Sequence, residues 1–136
     1  MPVKNLTRNS IIASRSRIAD SAFKRTVGLM FSKQTKSAMI LKFGRDTAVS
    51  LHTFFVFFPI DVVFVGGTGK VAEMVERMAP FTTYTAKRKV KYVVELPAGA
   101  IRQSRTKVGD RIAFLKVVER KLGNGRSITV SQGIKA

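Results

Sequence analysis

The carboxylate with the most unusual surroundings is Asp61, which stands between Phe57-Phe58-Pro59-Ile60 and Val62-Val63-Phe64 in a run apolar enough to be buried. A buried charge must be paired or hydrogen-bonded, or its pKa rises. Together with Glu95 and Asp110, Asp61 can supply the acid–base pair of a hydrolase, because two carboxylates suffice for glycosidic chemistry. The structural reading weighs more. An Asp at a strand start or turn accepts backbone N–H bonds, and Asp110 directly after Gly109 has the setting of such a turn residue. No catalytic residue is therefore assigned. His52, the only histidine, can join Asp61 and a serine in a nucleophilic triad, but no nucleophile-elbow pattern accompanies it. It reads as a structural residue of an aromatic strand.

Gly66-Gly67-Thr68-Gly69-Lys70 invites comparison with a phosphate-binding loop, yet Phe64 and Val71 occupy the positions that need glycine and a magnesium-binding hydroxyl. A plain hairpin turn is expected. The chain has no cysteine, which excludes disulfides, thiol nucleophiles and thiolate-ligated metals, and one histidine cannot build an imidazole-rich metal site. No cofactor and no metal are expected.

Charge is the other chemical signal. Lys and Arg number 25 against 8 Asp and Glu, a formal net charge of +17. The resulting positive potential attracts polyanions, so nucleic acid and anionic lipid headgroups rank first among partner classes. Two clusters can contact phosphates without reading sequence: Lys87, Arg88, Lys89 and Lys91, and then Arg120 and Lys121 with Arg126. Tyr84 and Tyr92 are the only tyrosines available for stacking near them. The competing reading is a solvated basic face.

The elements that must position these residues are mostly strands. From Ser10 to Ile18 the pattern suits a half-exposed strand; Asp20 or Ser21 caps a short helix through Ala22, Phe23 and Val27, which Gly28 ends. Ala38 to Phe43 forms a strand, Gly44-Arg45-Asp46 turns the chain, and Ala48 to Phe58 forms another, rich in β-branched and aromatic residues. The run Phe54 to Phe58 puts rings on both faces of that strand. Central burial is the favoured account; if one face is exposed, self-association or ligand binding through it becomes the leading idea. Asp61 to Val65 and Lys70 to Met78 form a hairpin, although the second limb also fits a short helix. Ala79 to Lys89 reads as a polar loop, Lys91 to Leu96 as a strand, Ala98 to Arg105 as the second helix, and Arg111 to Val118 as a core strand with Ile112, Phe114 or Leu115, and Val117 inward. Gly123-Asn124-Gly125 marks a terminal hairpin or a frayed tail. The whole is expected to be a single mainly β domain over residues 1–136, a β-barrel or β-sandwich of about seven to eight short strands with two short helices.

The order of landmarks resembles an uncharacterised family, domain of unknown function 192. Four stretches carry the resemblance: Gly28-Leu29-Met30, Pro59-Ile60-Asp61-Val62-Val63-Phe64, Tyr92-Val93-Val94-Glu95-Leu96-Pro97-Ala98-Gly99, and Val108-Gly109-Asp110-Arg111-Ile112. They define a core over residues 11–118, with residues 119–136 outside it. Where many bacterial members carry a Trp-Met-Lys-Asn type of stretch, this chain has His52-Thr53-Phe54-Phe55, so no role resting on that asparagine transfers. The resemblance implies a compact, mainly β fold and no activity.

No apolar signal-peptide core occurs between Met1 and Arg17, and a cytoplasmic location is expected; Phe54 to Val65 is too short to span a bilayer. The leading functional expectation is a non-catalytic binding or interaction module with a basic surface, possessing weak, sequence-independent affinity for polyanions. The alternative is a small-ligand-binding protein or carboxylate-dependent hydrolase with a pocket around Asp61.

Overall fold

The computed structural model describes every residue except Phe31, Thr35 and Ala136, and describes the backbone alone at Phe23, Thr26, Val117, Val118 and residues 129–135. The side chains of Phe23, named in the expected helix, and Val117, named in the expected core strand, thus lie outside the described residues. In chain order the elements are β1 (Val3–Asn5), β2 (Ser10–Ala13), β3 (Ser16–Ala19), α1 (Ala22–Val27), β4 (Ala38–Thr47), β5 (Ser50–His52), β6 (Ile60–Val65), β7 (Val71–Met78), β8 (Thr83–Thr85), β9 (Val90–Pro97), α2 (Ala100–Ser104), β10 (Ile112–Lys121) and β11 (Ser127–Lys135).

A five-stranded sheet, ordered β3-β4-β9-β6-β7, occupies the centre. Its strands alternate between two separate cores. Ile40, Val63, Val65, Tyr92, Val94 and Leu96 face one core, which Val3, Ile12, Ile112 and Phe114 complete from a second sheet ordered β11-β10-β1-β2. Met39, Leu41, Ile60, Val62, Phe64 and Val93 face the other, which Val49, Leu51 and Val56 cover from the β5-β8 pair and the segment after it. Burial on both faces explains why β6 and most of β9 are runs of Val, Leu and Phe without polar alternation. The short helix α2 contributes Ala100 and Ile101 to the first core.

The mainly β class holds, and so do the β6–β7 hairpin, both helices and the terminal β10–β11 hairpin, whose register runs from Ala113↔Lys135 to Lys121↔Ser127. The Gly66–Lys70 segment is a hairpin turn, with the Gly66 N–H donating to the Lys70 carbonyl at 3.0 Å and Gly69 at φ 85°.

Several expectations need correction. The described strands number eleven rather than seven or eight, and they fall into three sheets with no closed barrel among the described residues. The central sheet keeps two separate edges, β3 and β7, because its two faces are already covered by other layers. The span Ser10 to Ile18 is two strands, since β2 pairs with β1 while β3 runs parallel to β4 in the other sheet. Gly44 to Asp46 do not end a strand; β4 continues through them as its pairing with β9 slips between Lys42 and Thr47. The polar loop after Pro80 contains β8, paired with β5. Most consequentially, the aromatic strand stops at His52. Phe55 adopts φ 59°, outside the extended region, and Phe54, Phe55 and Phe57 project outward from a loop.

Candidate functional site

Asp61 and Glu95 lie on adjacent strands, with Asp61 opposite Leu96 and Val62 opposite Glu95. Side chains alternate along a strand, so this register sends the two carboxylates to opposite faces of the central sheet. Asp61 points toward the core that holds α2. It is fully buried and satisfied: Oδ1 accepts from the Arg77 N–H at 2.9 Å, and Oδ2 accepts from the Gly99 and Ile101 N–H groups, both at 3.0 Å. Gly99, at φ 94°, caps α2 without a side chain of its own, and Asp61 supplies the missing acceptor. Asp61 is an anchor for backbone, as the structural reading expects.

Asp110 is a second anchor. Its Oδ2 accepts from Asn5 Nδ2 at 3.0 Å, the Lys107 N–H at 2.9 Å and Arg8 Nε at 3.1 Å, closing the turn before β10 onto β1. Burial by itself would raise this carboxyl, but the Asn5, Lys107 and Arg8 donors outweigh it and hold Asp110 below its ordinary value. The proposed three-carboxylate cluster therefore does not form.

Glu95 is different. It points to the opposite face of the sheet, into a cleft of about 330 Å³ walled by Arg25, Leu29, Met30, Val49, His52 and Val56 among others. Its residue is 4% exposed, and its Oε2 is buried without a hydrogen-bond partner among the described residues. Burial pushes its carboxyl up to about 8, so at neutral pH it is mainly the uncharged acid. A buried neutral carboxylic acid offers one O–H donor and further acceptor capacity.

The chain builds this cleft by ending α1 above Glu95. The Ser21 hydroxyl accepts from the Lys24 N–H at 3.2 Å at the start of the helix; Gly28, at φ 47°, ends it by donating to Lys24 O at 2.9 Å. A Cβ on Gly28 would meet Glu95 Oε2 at 3.5 Å, so the glycine is demanded by its backbone angle more than by space. Leu29 and Met30 then pass along the rim. Arg25 also lines the cleft, its guanidinium 4.8 Å from the Phe43 ring centre while Nη1 donates to the carbonyls of Asp20 and Lys42. His52 accepts from the Phe54 N–H through Nδ1 and stacks on Phe54 at 5.1 Å, so it shares the cleft with Glu95 and not with Asp61.

Two of the four motif stretches, Gly28-Leu29-Met30 and the one containing Glu95, thus meet at one cleft, and the family's model matches residues 4–114 under the description "Uncharacterized ACR", DUF192. The chain belongs to the DUF192 family. Curated relatives include a UPF0127 protein of Thermococcus sibiricus, 33% identical over 110 residues covering 79% of this chain and 71% of the relative. Another, from Pyrococcus furiosus, is 33% identical over 116 residues, 84% of this chain and 98% of the relative. Among solved structures, a protein of unknown function from Novosphingobium aromaticivorans superposes with a TM-score of 0.75 at 22% identity, covering 84% of each chain. A Sinorhizobium meliloti protein described as a candidate transcription regulator gives a TM-score of 0.73 at 22% identity, over 82% of this chain and 88% of that one. At that identity the likeness is one of fold.

The remaining DUF192 motif positions do not line the cleft. Pro59 precedes β6, Gly99 opens α2, and Gly109 at φ 92° forms the turn that Asp110 closes. The basic residues fall in two exposed groups on different sheets. Lys87, Arg88 and Lys89 occupy the turn between β8 and β9, with Lys91 half-buried behind them over the Tyr92 ring; Arg120, Lys121 and Arg126 flank the tip of the β10–β11 hairpin. Sequence reasoning missed Glu95 as a site in its own right. The signal was present, since Glu95 is the only charge within Tyr92 to Pro97, the same argument that singled out Asp61.

Proposed function

We propose that this DUF192 chain is a non-catalytic binding module whose cleft takes a small polar ligand, with Glu95 as the polar anchor at its floor. The observation that carries this reading is the buried Glu95 Oε2, unpartnered among the described residues, at the base of an open cleft. An orphaned buried oxygen costs about 1–3 kcal/mol, and a ligand donor that reaches it recovers that cost on binding. Apolar walls from Leu29, Met30, Leu41, Val49 and Val56 with few polar groups are the usual composition of a small-molecule site. Glu95 is the sole carboxylate lining the cleft among the described residues, which favours binding over paired-carboxylate hydrolysis. This cleft lies on the face of the central sheet opposite to Asp61.

A panel of small alcohols, amines, amides and sugars, observed through methyl NMR signals, tests the reading. Hits are expected to perturb Leu29, Met30, Leu51 and Val56 together and to vanish in Glu95→Leu. Perturbations elsewhere, or ones unchanged in that variant, would refute it.

A second reading rests on the exposure of Lys87, Arg88, Lys89, Arg120, Lys121 and Arg126. These side chains are available for weak, sequence-independent contact with polyanions, nucleic acid included. The two groups sit on different sheets, so each acts as a local patch. On duplex DNA, about four neutralised phosphates would give a slope near −3.6 for log affinity against log salt. Replacing Lys87, Arg88 and Lys89 by Gln should flatten it; no binding at low salt would eliminate this reading.

A further inference from the structure

Four phenylalanines stand outward on two neighbouring loops: Phe54 at 43% exposure, Phe55 at 44%, Phe57 at 63% and Phe81 at 51%. Phe55, Phe57 and Phe81 form a group, since the Phe81 ring lies edge-on to Phe55 at 5.8 Å and to Phe57 at 5.5 Å, and Phe54, next in the chain to Phe55, stacks on His52. Such a contiguous apolar patch on an otherwise charged protein marks an interaction surface.

The patch is held by a buried hub. Thr53 is fully buried; its Oγ1 donates to the Ala79 carbonyl at 2.7 Å and accepts from the Thr82 N–H at 2.8 Å. Its backbone N–H donates to Thr82 O, and its carbonyl accepts from the Phe81 and Val56 N–H groups. Phe55 and Phe81 both adopt positive φ, 59° and 54°. Positive φ is unfavourable for bulky side chains and persists only where surrounding contacts over-determine it. The structure therefore fixes rings outward at an energetic cost that a merely solvated loop would not require.

Charge selects the occupant. Residues 47–60 contain no Lys, Arg, Asp or Glu, and residues 77–94 contain Arg77, Lys87, Arg88, Lys89 and Lys91 but no carboxylate. In the β5–β8 pair His52 lies opposite Thr83 and Ser50 opposite Thr85, so the rings stand at one end of the pair, with Arg77 near them on β7, and Lys87 to Lys89 follow the other end. Glu73, which accepts from the Lys87 N–H and the Tyr84 hydroxyl, and Glu76 are two carboxylates on β7 against the five cations of residues 77–94. A single-stranded nucleic acid would be better served by cations interleaved among ring faces along a groove. A second copy would bring two chains of net charge +17 together, against mutual repulsion.

We infer that the Phe54, Phe55, Phe57 and Phe81 platform docks into the interface of an anionic lipid bilayer, with the rings at the headgroup–acyl boundary, Arg77 close to them, and the excess positive charge of the chain, Lys87, Arg88 and Lys89 included, drawing it to the surface. Apolar insertion and electrostatic attraction add in such binding, and neither suffices alone. No helix among the described residues is long and apolar enough to cross a membrane, so the contact is with the surface.

The chain has no tryptophan, so Phe57→Trp gives a single tryptophan at the most exposed ring, excited apart from the two tyrosines. Its emission should shift to the blue with vesicles of phosphatidylcholine containing roughly a third phosphatidylglycerol, and stay unchanged with phosphatidylcholine alone. In sedimentation with the mixed vesicles, Phe57→Ser combined with Phe81→Asn should weaken partitioning by roughly tenfold or more while leaving heparin retention unaltered. Asn is chosen because it tolerates positive φ. Replacing Lys87, Arg88 and Lys89 by Gln should weaken both. Vesicle binding of the phenylalanine variant equal to the parent's would overturn the inference. So would phenylalanine-dependent binding to a single-stranded oligonucleotide, or a solution dimer abolished by Phe57→Ser, in the absence of vesicle binding. Thermal melting of each variant separates these outcomes from misfolding, and Phe57→Trp tests the same contact without removing the ring.

Discussion

Asp61 and Glu95 are one register step apart on adjacent strands, yet one is saturated by three backbone N–H donors and the other, on the opposite face of the sheet, has an oxygen with none among the described residues. The same residue class, buried in the same sheet, therefore has opposite consequences for stability. Asp61 ties β7 and α2 to β6, whereas Glu95 leaves hydrogen-bonding capacity facing a cleft.

Asp61→Ala should destabilise the fold by roughly 1–3 kcal/mol, because it leaves the Arg77, Gly99 and Ile101 N–H groups without their acceptor. Chemical denaturation measures the loss. Ligand-induced changes at Leu29 and Met30 should persist in this variant, since they belong to the other face of the sheet. A variant as stable as the parent would contradict the anchoring role.

Glu95 makes stability fall as pH rises. Its folded-state carboxyl is raised from the ordinary 4.5 to about 8, so the folded chain binds more protons than the unfolded chain between those values. The contribution of the neutral acid is complete below about 4.5 and is lost progressively up to about 8, a swing on the order of 5 kcal/mol. Glu95→Gln should remove this fall and be relatively more stable than the parent at alkaline pH. Denaturation midpoints of both proteins across that range provide the check; parallel curves would contradict it.

Asp110 has the opposite sign. Its carboxyl is held below its ordinary value by Asn5, Lys107 and Arg8 despite burial, so its contribution is present above the unfolded-state pKa and is lost as pH falls through the folded-state value. Asp110→Asn should cost stability at neutral pH and progressively less in acid. The difference between parent and variant denaturation midpoints as a function of pH reads this directly, and a difference that grows on acidification would count against it.

Thr53→Val keeps the shape of the hub but removes its hydroxyl, leaving the Thr82 N–H and the Ala79 carbonyl without that partner. A loss of about 1–2 kcal/mol is expected, with faster amide exchange at Thr82. Unchanged exchange there would show that the two aromatic loops are held by other contacts.

Much of this architecture was legible because local chemistry and tertiary context agree. Ser21 and Gly28 bracket α1 as cap and stop, Gly66 to Gly69 turn the hairpin, and the apolar runs of β6 and β9 mark strands buried on both faces. The aromatic run misled because Phe and Val favour strands, whereas the bonds around Thr53 pull Phe55 into positive φ and end the strand at His52. β1 is three residues long and is defined by β10, more than a hundred residues away, so no local pattern announces it. The candidate site was half legible. The lone charges Asp61 and Glu95 stand out in the sequence, but which face each takes depends on strand register, and register is a pairing between segments far apart in the chain.

The most direct measurement is a carbon-13 NMR titration of the Glu95 side-chain carboxyl in the intact folded chain. A desolvated acid at the floor of a cleft is expected to titrate near 8, and a cleft ligand that donates to its orphan oxygen should move that midpoint down. A midpoint at the ordinary 4.5, unmoved by any compound that perturbs Leu29 and Met30, would contradict the assignment of Glu95 as the anchor of a binding site.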